Sequence, residues 1–195
     1  MAENEKQEMI IDAALEVFCD KGYANTRMAD IARVAGVSYG LVYHYFGGKE
    51  VLFDVIVEGW WKDLYKMLEA EELSDVTVQQ KLEHIIGFLL DRYQHSPNLV
   101  SIFITEVSRG SVYHTARGLA RFNRYFDLTE KIMKDGQEKG FLRKDVPPHY
   151  LTYIFLGAIE VFLSVLVLGK ESLTDHRRER TINGIIQVFV NGARA

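Results

Sequence analysis

The sequence predicts an all-α fold, an N-terminal three-helix unit followed by a larger helical body, about nine helices in total. Apolar residues recur at i, i+3, i+4 and i+7 through most of the chain. No stretch alternates apolar and polar residues as a half-buried strand would. The prolines, at positions 97, 147 and 148, fall between the periodic stretches, where they start or stop helices without breaking them.

Taken in order, residues 5–21 place Ile10, Ala13, Ala14, Val17 and Phe18 on one helical face, and Gly22 suits the C-terminal cap. Thr26 is the expected N-cap of a short second helix in which Met28, Ile31, Ala32 and Ala35 repeat before Gly36 stops the run. Ser38 caps a third helix with Val42, Tyr45 and Phe46 on its apolar face, ended by Gly47-Gly48. Lys49 opens a long helix to about Ala70, with Leu52, Val55, Ile56, Trp60, Leu64, Met67 and Leu68 inward. Further helices are expected over 76–95, 98–109, 112–139, 147–168 and 174–192. Tyr150 to Leu168 is nearly long and apolar enough to span a bilayer, but Glu160 in its middle and the lack of flanking basic clusters make it a buried helix of a soluble body. The expected division is 1–48 and 49–195.

Composition narrows the function. The single cysteine, Cys19, excludes an internal disulfide and a thiolate metal cluster, and the polar N-terminus lacks a signal-peptide core, so a cytoplasmic protein is expected. None of the six histidines forms an i, i+4 metal pair, and no phosphate-binding or nucleophile-elbow motif occurs, so neither an enzyme nor a metal or cofactor is expected. The net charge is −4, and the first fifty residues hold five basic against eight acidic side chains, which weighs against nucleic-acid binding. Between Thr26 and Lys49, however, Arg27, Arg33 and Lys49 face only Asp30, and phosphate contact depends on this local balance.

Helices two and three, joined at Gly36-Val37, have the spacing of a helix-turn-helix, whose second helix enters the DNA major groove. One side of that helix must anchor it. The other must bring small or polar residues close to base edges, as Gly40 permits. At Thr26-Arg27, Ile31-Ala32, Ala35-Gly36-Val37-Ser38, Gly40 through Phe46 and Lys49-Glu50-Val51-Leu52 the chain resembles the TetR family of bacterial regulators. The match covers about the first quarter of the chain. The overall pattern also has a vague resemblance to fatty-acid-responsive members.

The resemblance implies a repressor that binds a palindromic operator as a homodimer and is released by a small effector, a fatty acyl-CoA or another lipophilic compound. Position by position it implies that Thr26, Arg27, Tyr43, His44 and Lys49 meet the DNA backbone, and that Tyr39, Gly40 and Leu41 meet bases, with the cap Ser38 among them. Surplus apolar surface on the last two helices, at Ile154, Ala158, Phe162, Ile182, Ile186 and Phe189, suggests the dimer face. Ligand contact is expected from Trp61, Phe88, Phe103, Phe122, Phe126 and Tyr153, with the charged residues Glu106, Arg109 and Glu160 as partners for a head group. Arg121 is a further charged residue beside this set, and Cys19 is expected to pack. The alternative is a ligand-binding or protein-interaction module of the same fold without DNA binding.

Overall fold

The computed structural model describes residues 3–107 and 115–194, with the side chains of residues 106 and 107 left out. The described residues form α1 (Glu3–Lys21), α2 (Met28–Val34), α3 (Tyr39–Phe46), α4 (Lys49–Leu73), α5 (Val78–His95), α6 (Pro97–Ile102), α7 (Ala116–Glu138), α8 (Pro148–Gly169) and α9 (Asp175–Ala193). A π-helical turn over Phe103–Val107 follows α6. Among the described residues the one β contact is an isolated bridge between Leu142 and Arg194. The Arg143 N–H donates to the Ala193 carbonyl at 2.7 Å, so the same corner ties the end of α9 to the loop before α8.

Local chemistry explains the boundaries. Ser38 Oγ accepts from the Leu41 N–H at 3.2 Å, satisfying a free donor at the start of α3. Thr77, Thr115 and Thr174 cap α5, α7 and α9 in the same way. Gly36 and Gly47 take φ of +66° and +68°, left-handed values that an L side chain resists, and so end α2 and α3 sharply. The expected Thr26 cap of α2 moves by one residue. Arg27 occupies the extended cap position, and its N–H is answered from below by Asp30 Oδ2 at 3.1 Å.

A continuous apolar core runs from Ile10 in α1 to Ala193 in α9. In the head, Val42 and Phe46 of α3 are buried and Tyr45 packs against the same core, as the apolar spacing predicts. Phe18 of α1, edge-on, and Tyr23, tilted, pack against Phe53 of α4, with ring centroids 5.8 and 4.6 Å away, and α1 also packs on α6. The head is therefore joined to the body through α4 and α6 together. Val55 departs from expectation, because Leu52, Phe53, Ile56 and Val57 form the inward face and leave it exposed. The apolar helix α8 has the length and hydropathy of a membrane span, yet half of its most apolar window is buried against neighbouring helices. Its outward side carries Ile154, Val161 and Val165, all more than half exposed.

Candidate DNA-reading head and ligand cavity

The α2–turn–α3 unit presents one continuous outer surface. Tyr39 and Tyr43 lie one turn apart on α3, 52% and 45% exposed, with ring centroids 5.1 Å apart. Partial desolvation, then the hydrogen bond with the Tyr43 hydroxyl, raise the Tyr39 hydroxyl above its usual pKa. Ser38, Gly40 and His44 are exposed beside them, and Leu41 is half-buried. A Cβ at Gly40 would meet no protein atom within 4 Å, so this part of the helix is open to close approach. Arg27 and Arg33 are exposed on α2 and its cap.

Two expected DNA contacts are corrected. Thr26 is 2% exposed, and its hydroxyl donates inward to the Gly22 carbonyl at 2.9 Å, so its side chain closes the α1–α2 corner and does not face outward. The Lys49 ammonium is also turned into the domain. It donates to the Tyr23 carbonyl at 2.8 Å and lies 4.5 Å over the Tyr23 ring, pinning the start of α4 to that corner. Asp30 supports the corner from outside through Lys21, at 2.8 Å. The hydrogen bond from Lys21, with that from the Arg27 N–H, holds the Asp30 carboxyl below the usual range.

The body contains an apolar cavity of about 190 Å³. Trp60 and Leu64 of α4, Leu89 of α5, Val100 of α6, Phe103 and Ile104 of the π turn, Phe122, Tyr125 and Phe126 of α7 and one side of α8, from Tyr153 and Leu156 to Glu160 and Leu163, line it. The π turn is placed where it matters. Its extra residue turns both Phe103 and Ile104 to the wall, and Phe103 stacks on Trp60 with centroids 4.5 Å apart. Burial, with the charge of Glu160 adding to it, raises the Tyr125 hydroxyl above its usual pKa, so it stays protonated. Glu160 is the one charged side chain in the described wall. It and Tyr153 are exposed at the rim, while Ile159 and Leu163 are buried.

Of the sequence-predicted cavity residues, Phe103, Phe122, Phe126, Tyr153 and Glu160 come together in the wall. Trp61 does not line it. It stands one layer behind, edge-on to Phe103 and Phe122 and stacked on Tyr65. Phe88 is also displaced, to a position beneath the Arg92 guanidinium, because Leu89 is the α5 residue that turns inward. Arg109 and the Glu106 side chain lie outside the described residues. Arg121 pairs with Glu58 of α4 and does not line the cavity. Trp60 and Tyr125, aromatic residues at helical spacing with no polar signature, carried no signal that separated them from ordinary core.

Of the residues expected at the dimer face, two are buried within the chain. Ile154, 60% exposed, and Ala158 point outward, while Phe162 and Ile182 are half-buried. Ile186 and Phe189 belong to the subunit's own core, with the Phe189 ring 5.2 Å from Phe155. The outward side of α9 is instead marked by Val188, 78% exposed, between Gly184 and Gly192. Together with Ile154 and Ala158 these residues border an apolar groove between α8 and α9.

Residues 10–56, which span the head and the first turns of α4, match the family described as bacterial regulatory proteins of the tetR family. That stretch is a TetR-family head. Its α2–turn–α3 unit is therefore the helix-turn-helix of a transcriptional regulator. Among the TetR-family relatives, the transcriptional repressor NicS of Pseudomonas putida is 28% identical over 72% of this chain and 67% of its own length. The FadR regulator of Bacillus subtilis, solved in complex with stearoyl-CoA, superposes with a TM-score of 0.77 at 22% identity, over 96% of this chain and 99% of its own. AibR, solved with isovaleryl coenzyme A and operator DNA, superposes with a TM-score of 0.73 at 20% identity, over 94% and 97%.

Proposed function

We propose that this protein is a cytoplasmic, dimeric TetR-family repressor that places α3 of each subunit in the major groove of a palindromic operator and is released by a fatty acyl-CoA. The observation that carries this reading is the position of α4. Lys49 fixes its start to the head and Trp60 and Leu64, three turns later, form part of the cavity wall, so one rigid element touches both sites. A ligand that moves the wall moves the head. Shifting each head changes the spacing between the two recognition helices, which must match about one helical turn of DNA.

The effector class is supported by the aromatic and aliphatic lining, which suits an acyl chain, and by the ligands found with FadR of Bacillus subtilis and with AibR. The polar part would leave at the rim formed by Tyr153 and Glu160, the exposed residues of the wall. On the head, Arg27, Tyr43 and His44 would take the backbone and Tyr39, Gly40 and Leu41 the base edges, with Ser38 at the helix start. The division into a head of residues 1–48 and a body of 49–195 assigns one task to each part, and none of the residues invoked is catalytic.

The acidic head favours a second reading, the same fold binding ligand without DNA. Titration of the dimer into DNA from upstream of its own gene, at two salt concentrations and against unrelated DNA, separates the two. The repressor reading predicts specific retention that weakens by about tenfold or more in Arg27→Ala and Tyr43→Ala. Equal, weak retention of both DNAs by wild type and variants would favour the module.

A further inference from the structure

The two helices that flank the cavity, α4 and α7, carry opposite charges along their facing edges. Arg117 reaches Asp54 at 3.5 Å and pairs with Glu58, and Arg121 closes on the same Glu58 carboxylate. Further along, Arg124 holds Glu69 at 2.5 Å and Lys131 holds Glu72 at 2.9 Å. The rungs differ in setting. Glu58 lies half a turn before the cavity residue Trp60 on α4, and Arg121 directly precedes Phe122 on α7, whereas Glu72 lies two turns beyond Leu64.

An isolated exposed ion pair contributes little, because side-chain entropy and solvent screening offset the attraction. Glu58 is a different case. Both guanidiniums converge on one carboxylate, the Arg121 side chain is only 10% exposed, and the Arg121 carbonyl is held by the Tyr65 hydroxyl of α4 at 2.8 Å. The geometry points to Glu58, Arg117 and Arg121 forming a latch that holds α4 against α7 in the operator-binding arrangement, so that the effector must part it to release DNA. This rests on the repressor reading above. By linkage, a latch made only in the operator-binding state strengthens operator binding and weakens effector binding by the same factor. Its strength therefore sets the effector concentration at which the repressor lets go.

Glu58→Gln removes the carboxylate charge from a half-exposed position and leaves the apolar wall intact. Dodecanoyl-CoA is the probe, its binding followed by tryptophan fluorescence, since of the chain's two tryptophans Trp60 lines the cavity and Trp61 packs directly behind it. The variant is expected to bind dodecanoyl-CoA about 3- to 10-fold more tightly and upstream DNA correspondingly more weakly. Glu72→Gln, at a rung away from the cavity, is expected to change neither by more than about 1.5-fold. The exchange Glu58→Arg with Arg121→Glu and Arg117→Glu, made with Asp54→Asn to remove the like charge beside position 117, restores the opposite charges and should recover part of the difference, with the unfolding temperature reporting on folding. Unchanged affinities in Glu58→Gln, or weaker effector binding together with stronger DNA binding, would overturn the latch. If dodecanoyl-CoA does not bind the wild-type protein, the effector assignment fails. DNA affinity in Glu58→Gln and in the exchange variant then decides the latch by itself, weakened and recovered if it exists, unchanged if it does not.

Discussion

Thr26 and Arg27 are adjacent in sequence and opposite in task. Thr26 is sealed into the α1–α2 corner with its hydroxyl on the Gly22 carbonyl, and Arg27 stands outside at the head of α2. Thr26→Val keeps the shape but leaves that carbonyl short of a donor, so it should cost about 1–3 kcal/mol of stability while the folded protein binds operator as before. Arg27→Ala should do the reverse, and thermal unfolding set beside DNA titration checks both. At the cavity rim, Glu160 would face the phosphates of an acyl-CoA with a like charge. Glu160→Gln should therefore tighten acyl-CoA binding by about 2- to 5-fold at low salt, with the gain shrinking as salt is added. Weaker binding in that variant would indicate a cationic effector. Much of the exposed side of α3 is legible in sequence, since Tyr39, Gly40 and Tyr43 fall off its apolar face. Thr26 and Lys49 are misread because their polar ends turn inward to backbone carbonyls, and a sequence does not display carbonyl directions.

At the scale of elements, apolar spacing and capping residues locate the helices well, because every helix here buries one face against a common core. The side of α9 that meets the core is not legible. Ile182, Ile185, Ile186, Phe189 and Val190 make a band wide enough to serve either face, and packing on α5 and α8 decides which residues are covered. The π turn at Phe103–Val107 has no sequence signature, yet it sets two cavity residues. Gly47 is legible and decisive, since its φ of +68° lets α3 stop and α4 begin two residues later. Gly47→Ala should cost about 1 kcal/mol or more and lower the unfolding temperature. The α4–α7 contact also has a pH signature. Burial of the Tyr65 hydroxyl pushes its pKa up to about 12, so the folded state holds that proton more tightly than the unfolded state. The resulting stability is fully present below pH 10 and is lost as pH rises from about 10 to about 12. Tyr65→Phe should flatten that part of the stability profile in chemical denaturation.

For the whole molecule, the exposed apolar strip on α8 and the groove beside Val188 form the surface on which the proposed dimer would pair. Val161→Glu should dissociate the dimer in sedimentation experiments. It should also weaken operator binding by about a hundredfold or more, because two half-sites are then no longer read by linked heads. The central claim is that cavity and operator are filled alternately by one dimer. Following the anisotropy of labelled upstream DNA, held by the wild-type dimer, as dodecanoyl-CoA is added tests it most directly. Release of the DNA is expected over the same concentration range in which the tryptophan signal responds. Full occupancy of the cavity, seen in the tryptophan signal, with the DNA still bound would contradict it.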